Sequence, residues 1–107
     1  MRELAVTVRR RDGAAILDLA GDVDASGEAA LQRAYDEAGG ADPVVLDFSR
    51  TEYINSTGIA LIVGVLAQAR ARGVRIVARG LSEHYREIFE ITRLADFMTI
   101  EEGINYA

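Results

Sequence analysis

The sequence predicts one α/β domain over residues 1–107, a mixed β-sheet packed against three to four helices. Three observations predict it. An alternating segment, an Asp-Gly turn and a second apolar segment open the chain as a hairpin. From Glu28 onwards, helical and strand-like segments alternate, which implies parallel strands joined by helical crossovers. Half of the 107 residues are hydrophobic, enough for one small core.

The elements follow in order. Glu3 to Arg9 alternates Leu4, Val6 and Val8 with Glu3, Ala5 and Thr7, the pattern of a half-exposed strand. Arg10 to Gly13 is the turn, and Ala14 to Ala20 the second strand. Gly21 to Gly27 reads as a loop in which Asp24 or Ser26 is placed to cap the next helix. That helix, Glu28 to Ala38, collects Leu31, Ala34, Tyr35 and Ala38 on one face, and Gly39-Gly40 ends it. Val44 to Phe48 begins as a continuous apolar run, expected of a central strand buried on both faces. Ser49 to Asn55 reads as a short connection with Tyr53 and Ile54 turned inward. A second helix is expected over Thr57–Arg72, stopped by Gly73, and a strand over Val74–Ala78. Ser82 caps a third helix from Glu83 to about Thr92, with Tyr85, Ile88, Phe89 and Ile91 facing in. Phe97 to Ile100 is expected as a last strand, and the tail Glu101–Ala107 as at most a turn or two of helix.

Composition narrows the chemistry. The formal charge is −5, and all twelve basic residues are scattered Arg. A basic face for nucleic acid is not expected. Without Lys there is no phosphate-loop lysine, Schiff base or Lys general base; without Cys there is no disulfide, thiolate metal site or Cys nucleophile. The Met1 end does not read as a signal peptide, and no apolar run approaches about 18 residues. The expectation is a cytoplasmic protein with no membrane insertion. His84 stands alone in a helix's first turn, and no metal, nucleotide or catalytic-triad signature is present. No cofactor and no catalytic residue are expected. Asp22, Asp24 and Asp47 resemble the acidic cluster of a receiver domain, but the lysine such a domain needs is missing and the chain opens with a hairpin.

The chemistry concentrates at Asn55-Ser56-Thr57-Gly58. The first N–H groups of a helix lack partners within it, and the helix dipole makes that end partly positive. A hydroxyl there can cap the helix; a phosphate there can use the same amides without a basic side chain. Ser56 or Thr57 therefore reads either as a cap or as a switch position, with Gly58 keeping the approach open. The helix behind them, Ile59 to Ala67, is apolar around its whole circumference. Either neighbouring helices cover it or part of it receives a partner.

At these residues the chain resembles the STAS domain family, the module of sulfate transporters and anti-sigma factor antagonists. The family's strand and Asp-Ser-Ser-Gly helix start are similar to Val44-Val45-Leu46-Asp47-Phe48-Ser49 and Asn55-Ser56-Thr57-Gly58-Ile59. Its Gly-Glu-Leu-Asp loop is similar to Gly21-Asp22-Val23-Asp24, and its late segment to Ile91-Thr92-Arg93-Leu94. The resemblance implies a STAS fold and a non-enzymatic anti-sigma factor antagonist. Such a protein binds an anti-sigma factor with serine/threonine kinase activity, is released by phosphorylation at the Thr57 position, and is reset by a PP2C-type phosphatase. Ser56 is the alternative acceptor; Asp22, Asp24, Asn55, Ser56, Gly58, Ile59 and Ile62 are the implied partner contacts. Asn55 replaces the usual Asp, and Thr57 the usual Ser. Other members suggest two alternatives, an accessory subunit of an ABC-type lipid transporter or a scaffold subunit of a stress-sensing complex. A homodimer is compatible with any of these.

Overall fold

A computed structural model describes residues 2–101. Strands β1 (Ala5–Arg11) and β2 (Ala14–Val23) form the antiparallel hairpin, in register Val8↔Leu17. Helix α1 (Glu28–Glu37), strand β3 (Val44–Asp47), strand β4 (Thr51–Ile54), helix α2 (Ser56–Arg72), strand β5 (Ile76–Arg79), helix α3 (Glu83–Ile91) and strand β6 (Thr99–Ile100) follow. The sheet runs β1-β2-β3-β5-β6, with every pair after the hairpin parallel. This is the mixed sheet expected from the alternation of elements, with three α-helices and two 3-10 turns among the described residues.

Side-chain parity explains why the helices lie together. Leu17 and Leu19 of β2, Leu46 of β3 and Ala78 of β5 share one core with Leu31, Ile62, Val65 and Phe89 of the three helices. The other parity carries Ile16 and Val45, buried but outside that core, and a charged row in which Arg9 pairs with Asp18 at 2.8 Å. β3 is thus central and buried along its apolar run, with Val44, Val45 and Leu46 at 2%, 5% and 0% exposure. At its start the Asp42 carboxylate takes the Arg75 backbone N–H and guanidinium, which hold its pKa below the ordinary carboxylate value.

Four expectations are corrected. Ser49–Asn55 is not merely a connection: Thr51–Ile54 forms β4, which pairs in parallel with the far end of β2, Val23 opposite Ile54. β2 is longer than β3 by six residues, so its overhang has free backbone groups that β4 satisfies. Ile54 packs inward as expected, but Tyr53 points out at 54% exposure, as strand alternation requires. Ile91 also points out, at 79%, because α3 ends there. Phe97 lies in a 3-10 turn (Leu94–Phe97), leaving only Thr99–Ile100 as strand. Residues 102–107, where a further turn of helix was expected, lie outside the described residues. No helix is long and apolar enough to cross a membrane among the described residues.

Candidate functional site

Two neighbouring parallel strands, β2 and β4, end side by side, and each runs directly into a helical segment. The residue after each strand is a capping side chain. Asp24, extended at φ −142°, accepts from the Ser26 backbone N–H at 3.0 Å and the Ser26 hydroxyl at 2.6 Å. It thereby starts the 3-10 turn Ala25–Gly27 that leads into α1, and Ser26 is the donor rather than the cap. Asn55, extended at φ −100°, is the N-cap of α2. Its Oδ1 accepts from the Gly58 N–H at 2.8 Å and from the Thr57 hydroxyl at 2.7 Å. Of the two readings of Ser56 and Thr57, the capping one does not hold, because Asn55 is the cap. They lie one and two residues past the cap, already within the first turn, and both are exposed.

Gly58 has a different role from the one expected. A Cβ placed on it would overlap the Val23 carbonyl, the carbon 2.6 Å away and the oxygen nearer still. The glycine does not clear space for an incoming molecule. It seats the start of α2 directly on the end of β2, where the Asn55 N–H also reaches the Val23 oxygen at 3.3 Å. One carbonyl thus meets both the N-cap and the first turn of α2.

The other candidates sort by burial. Asp22 is 7% exposed, and its carboxylate accepts from the Arg2 N–H at 3.1 Å, pinning the chain before β1. Ile62 is 0% exposed and lies in the core, so it offers no surface to a partner. Gly58 is likewise buried; Asp24, Asn55 and Ile59 are half-buried; Ser56 and Thr57 stand in solvent. The apolar circumference of α2 divides accordingly. Ile62, Val65, Leu66 and Ala69 are covered, while Ala60, Val63, Gly64 and Ala67 remain exposed. This exposed face is made of small side chains and runs down the helix from Thr57. Val63 and Ala67 continue into a groove of about 210 Å³ shared with Leu94 and Phe97, where the Arg70 guanidinium lies over the Phe97 ring.

Two positioning groups were not foreseen. The Tyr85 hydroxyl accepts from the Ile54 N–H at 3.0 Å, bracing β4 from α3. Gln32 and Gln68 exchange reciprocal hydrogen bonds at 2.9 and 3.0 Å, locking α1 to α2. Neither residue type at its position carries a signal that spacing alone could reveal. Among the described residues no group of three or more His, Cys, Asp or Glu could hold a metal.

The cap has a measurable value. Asn55→Ala removes the acceptor for the Gly58 N–H and should destabilise the fold by about 1 kcal/mol. For a domain of this size that corresponds to a fall in Tm of roughly 4–8 °C, to be read by thermal circular dichroism.

A family model described as "Mlab, STAS domain" matches residues 6–101, from β1 to the last described strand. The chain belongs to the STAS domain family. The anti-sigma-B factor antagonist of Listeria monocytogenes is 30% identical over 101 residues, covering 92% of this chain and 89% of that protein. Among solved structures, the STAS domain described here is similar to an anti-sigma factor antagonist from Mycobacterium paratuberculosis, with a TM-score of 0.74 at 22% identity over 95% and 88% of the two chains. It is also similar to SpoIIAA in its unphosphorylated form, at 0.69 and 17% over 94% and 90%. At these identities the structural likeness speaks for the fold.

Proposed function

We propose that this STAS protein is an anti-sigma factor antagonist, a non-enzymatic binding module switched by phosphorylation at Thr57. In this reading it holds, in the cytoplasm, an anti-sigma factor that is also a serine/threonine kinase. The kinase transfers the γ-phosphoryl group of ATP to Thr57 Oγ1: the new O–P bond forms, the bond to ADP breaks, and the hydroxyl proton leaves to the kinase's base. A PP2C-type phosphatase reverses the modification by hydrolysis.

The observation that carries the reading is the exposed Thr57 hydroxyl at the head of an exposed, small-residue helix face. Phosphorylation adds roughly −1.5 to −2 charges there. The helix that bears the phosphate tolerates it, because its N-terminal dipole and free amides favour an anion. A partner lying along Ala60, Val63 and Gly64 would have to desolvate it. The switch then acts on the complex while leaving the fold intact. The name of the Listeria relative supports the class of partner, and SpoIIAA has been solved in both phosphorylated and unphosphorylated forms. Asp24, Asn55, Ser56 and Ile59 are the half-buried or exposed neighbours that would frame the contact; Asp22, Gly58 and Ile62 would support it from beneath.

Incubation with the cognate kinase and ATP, followed by phosphosite mapping, should place the modification on Thr57, and Ser56→Ala should leave it in place. Thr57→Glu should weaken binding by at least about 100-fold, equivalent to roughly 2.7 kcal/mol. Thr57→Ala should bind as wild type does. Wild-type affinity in Thr57→Glu would defeat the reading.

A further inference from the structure

We propose that the outer edge of β1 is a self-association surface: two copies of this chain pair antiparallel there about a two-fold axis at Thr7, joining their sheets into one. The proposal uses no residue of the surface around Thr57 and stands apart from the reading of that site. β1 begins the sheet and pairs only with β2 among the described residues. Its seven residues contain no proline and make a long unpaired edge, whereas β6 at the other end has two residues. Antiparallel pairing turns the backbone groups of alternate residues inward and outward. The Ala15 N–H donates to the Pro43 carbonyl at 3.1 Å, so Ala15 faces β3 and its partner Arg10 faces away from β2. By the same alternation Val6, Val8 and Arg10 hold their N–H and C=O groups out along the edge. Among the described residues no other element bonds to them.

Charged side chains usually guard such an edge, and here they are engaged elsewhere. Arg9 pairs with Asp18 at 2.8 Å, and the Arg10 guanidinium donates to the Glu37 and Gly39 carbonyls at 2.6 and 3.1 Å. Glu3, just before the strand, and Arg11, its last residue, are exposed, and neither side chain has a bonding partner among the described residues.

Parity and charge select one register. Outward groups meet outward groups only where even-numbered residues oppose one another. An axis at Thr7 sets Val6 of each copy against Val8 of the other as a hydrogen-bonded pair, both side chains lying on the helix side of the sheet. It sets Thr7 against Thr7, the long Arg9 against the small Ala5, and Arg11 against Glu3, so that each free charge gains an opposite one. It also carries the two Arg9–Arg11 runs to opposite ends of the interface. Moving the axis to Val8 sets Arg10 against Val6 and parts Arg11 from Glu3. Moving it to Val6 sets Glu3 against Arg9, which Asp18 already holds, and leaves Arg11 without a counterion.

The test uses the full chain alone. Sedimentation from about 1 μM to 1 mM should show monomer passing to dimer. Arg11→Glu sets like charges together at both ends of the interface and should weaken association about 10-fold, as should Glu3→Arg. The double variant Glu3→Arg/Arg11→Glu should return to within about 3-fold of wild type. Both positions are exposed, so these changes spare the core. The chain has no Cys, so Thr7→Cys places one thiol per copy on the axis. Oxidation should link its copies at least about 10-fold faster than those of Thr99→Cys, whose thiol lies on the same face at the opposite edge. A monomer at every concentration, equal cross-linking of the two cysteine variants, or a double variant that associates no better than either single one would overturn the proposal.

Discussion

Gly58→Ala should lower the stability of this STAS domain by about 2–3 kcal/mol, a fall in Tm of roughly 10–20 °C. On helix propensity alone the same change should stabilise by up to about 1 kcal/mol, since Ala is the better helix former. The sign is reversed by the Val23 carbonyl, whose carbon would lie 2.6 Å from the new methyl group. Neither side can yield easily. The carbonyl belongs to the end of β2 that is paired with β4 and accepts from the Asn55 N–H, and the methyl is fixed to a helix backbone. Gly64→Ala is the matched control. It lies two turns along the same helix, where an added Cβ meets nothing within 4 Å, so it should raise the Tm by a few degrees, up to about 4–8 °C. Thermal melts of the two variants should move in opposite directions. A fall of similar size in both would mean that the seat on Val23 contributes nothing.

Phe89→Ala should have the larger effect on the fold. Phe89 is fully buried and meets the Phe48 ring edge-on, with centroids 5.8 Å apart and planes at 90°. It is the one fully buried residue of α3. Removing a buried phenyl group costs about 3–5 kcal/mol, a large fraction of the roughly 5–15 kcal/mol that holds a domain together. The expected Tm falls by roughly 12–30 °C. Because Tyr85 of α3 also supports the Ile54 N–H, loosening α3 should speed amide exchange in β4 before β1 and β2 are affected. Uniform acceleration across the sheet would argue that α3 and β4 are not coupled in this way.

Much of the fold was legible because the signals were local and strong. The Asp-Gly turn, the apolar run at Val44 and the glycine stops at Gly39 and Gly73 each speak through a few adjacent residues. β4 was not legible, because four residues are too few to show a period, and its reason for existing is remote. It completes the backbone hydrogen bonds of the β2 overhang, more than 25 residues away in sequence. The start of α2 was read in outline. Asn55, Ser56 and Thr57 are all residue types that cap helices, and only the backbone angles at Asn55 decide which of them stands at the boundary. The inside of α2 was hidden for a related reason. In a helix apolar on every side, composition cannot say that Ile62 points to the core while Gly64 faces solvent. Gly58 could be marked as special, but its neighbour Val23 could not, since their contact joins separate elements.

The seat of α2 on the end of β2 has a thermodynamic consequence for recognition. With Val23, Asn55 and Gly58 tied together, the surface around Thr57 is already in place before any partner arrives. Little ordering entropy remains to be lost on this side of a complex, and a preorganised surface binds more tightly for the same contact area. Adaptation on docking should therefore be found mainly in the partner, and calorimetry of the complex should report ordering there and not in this chain.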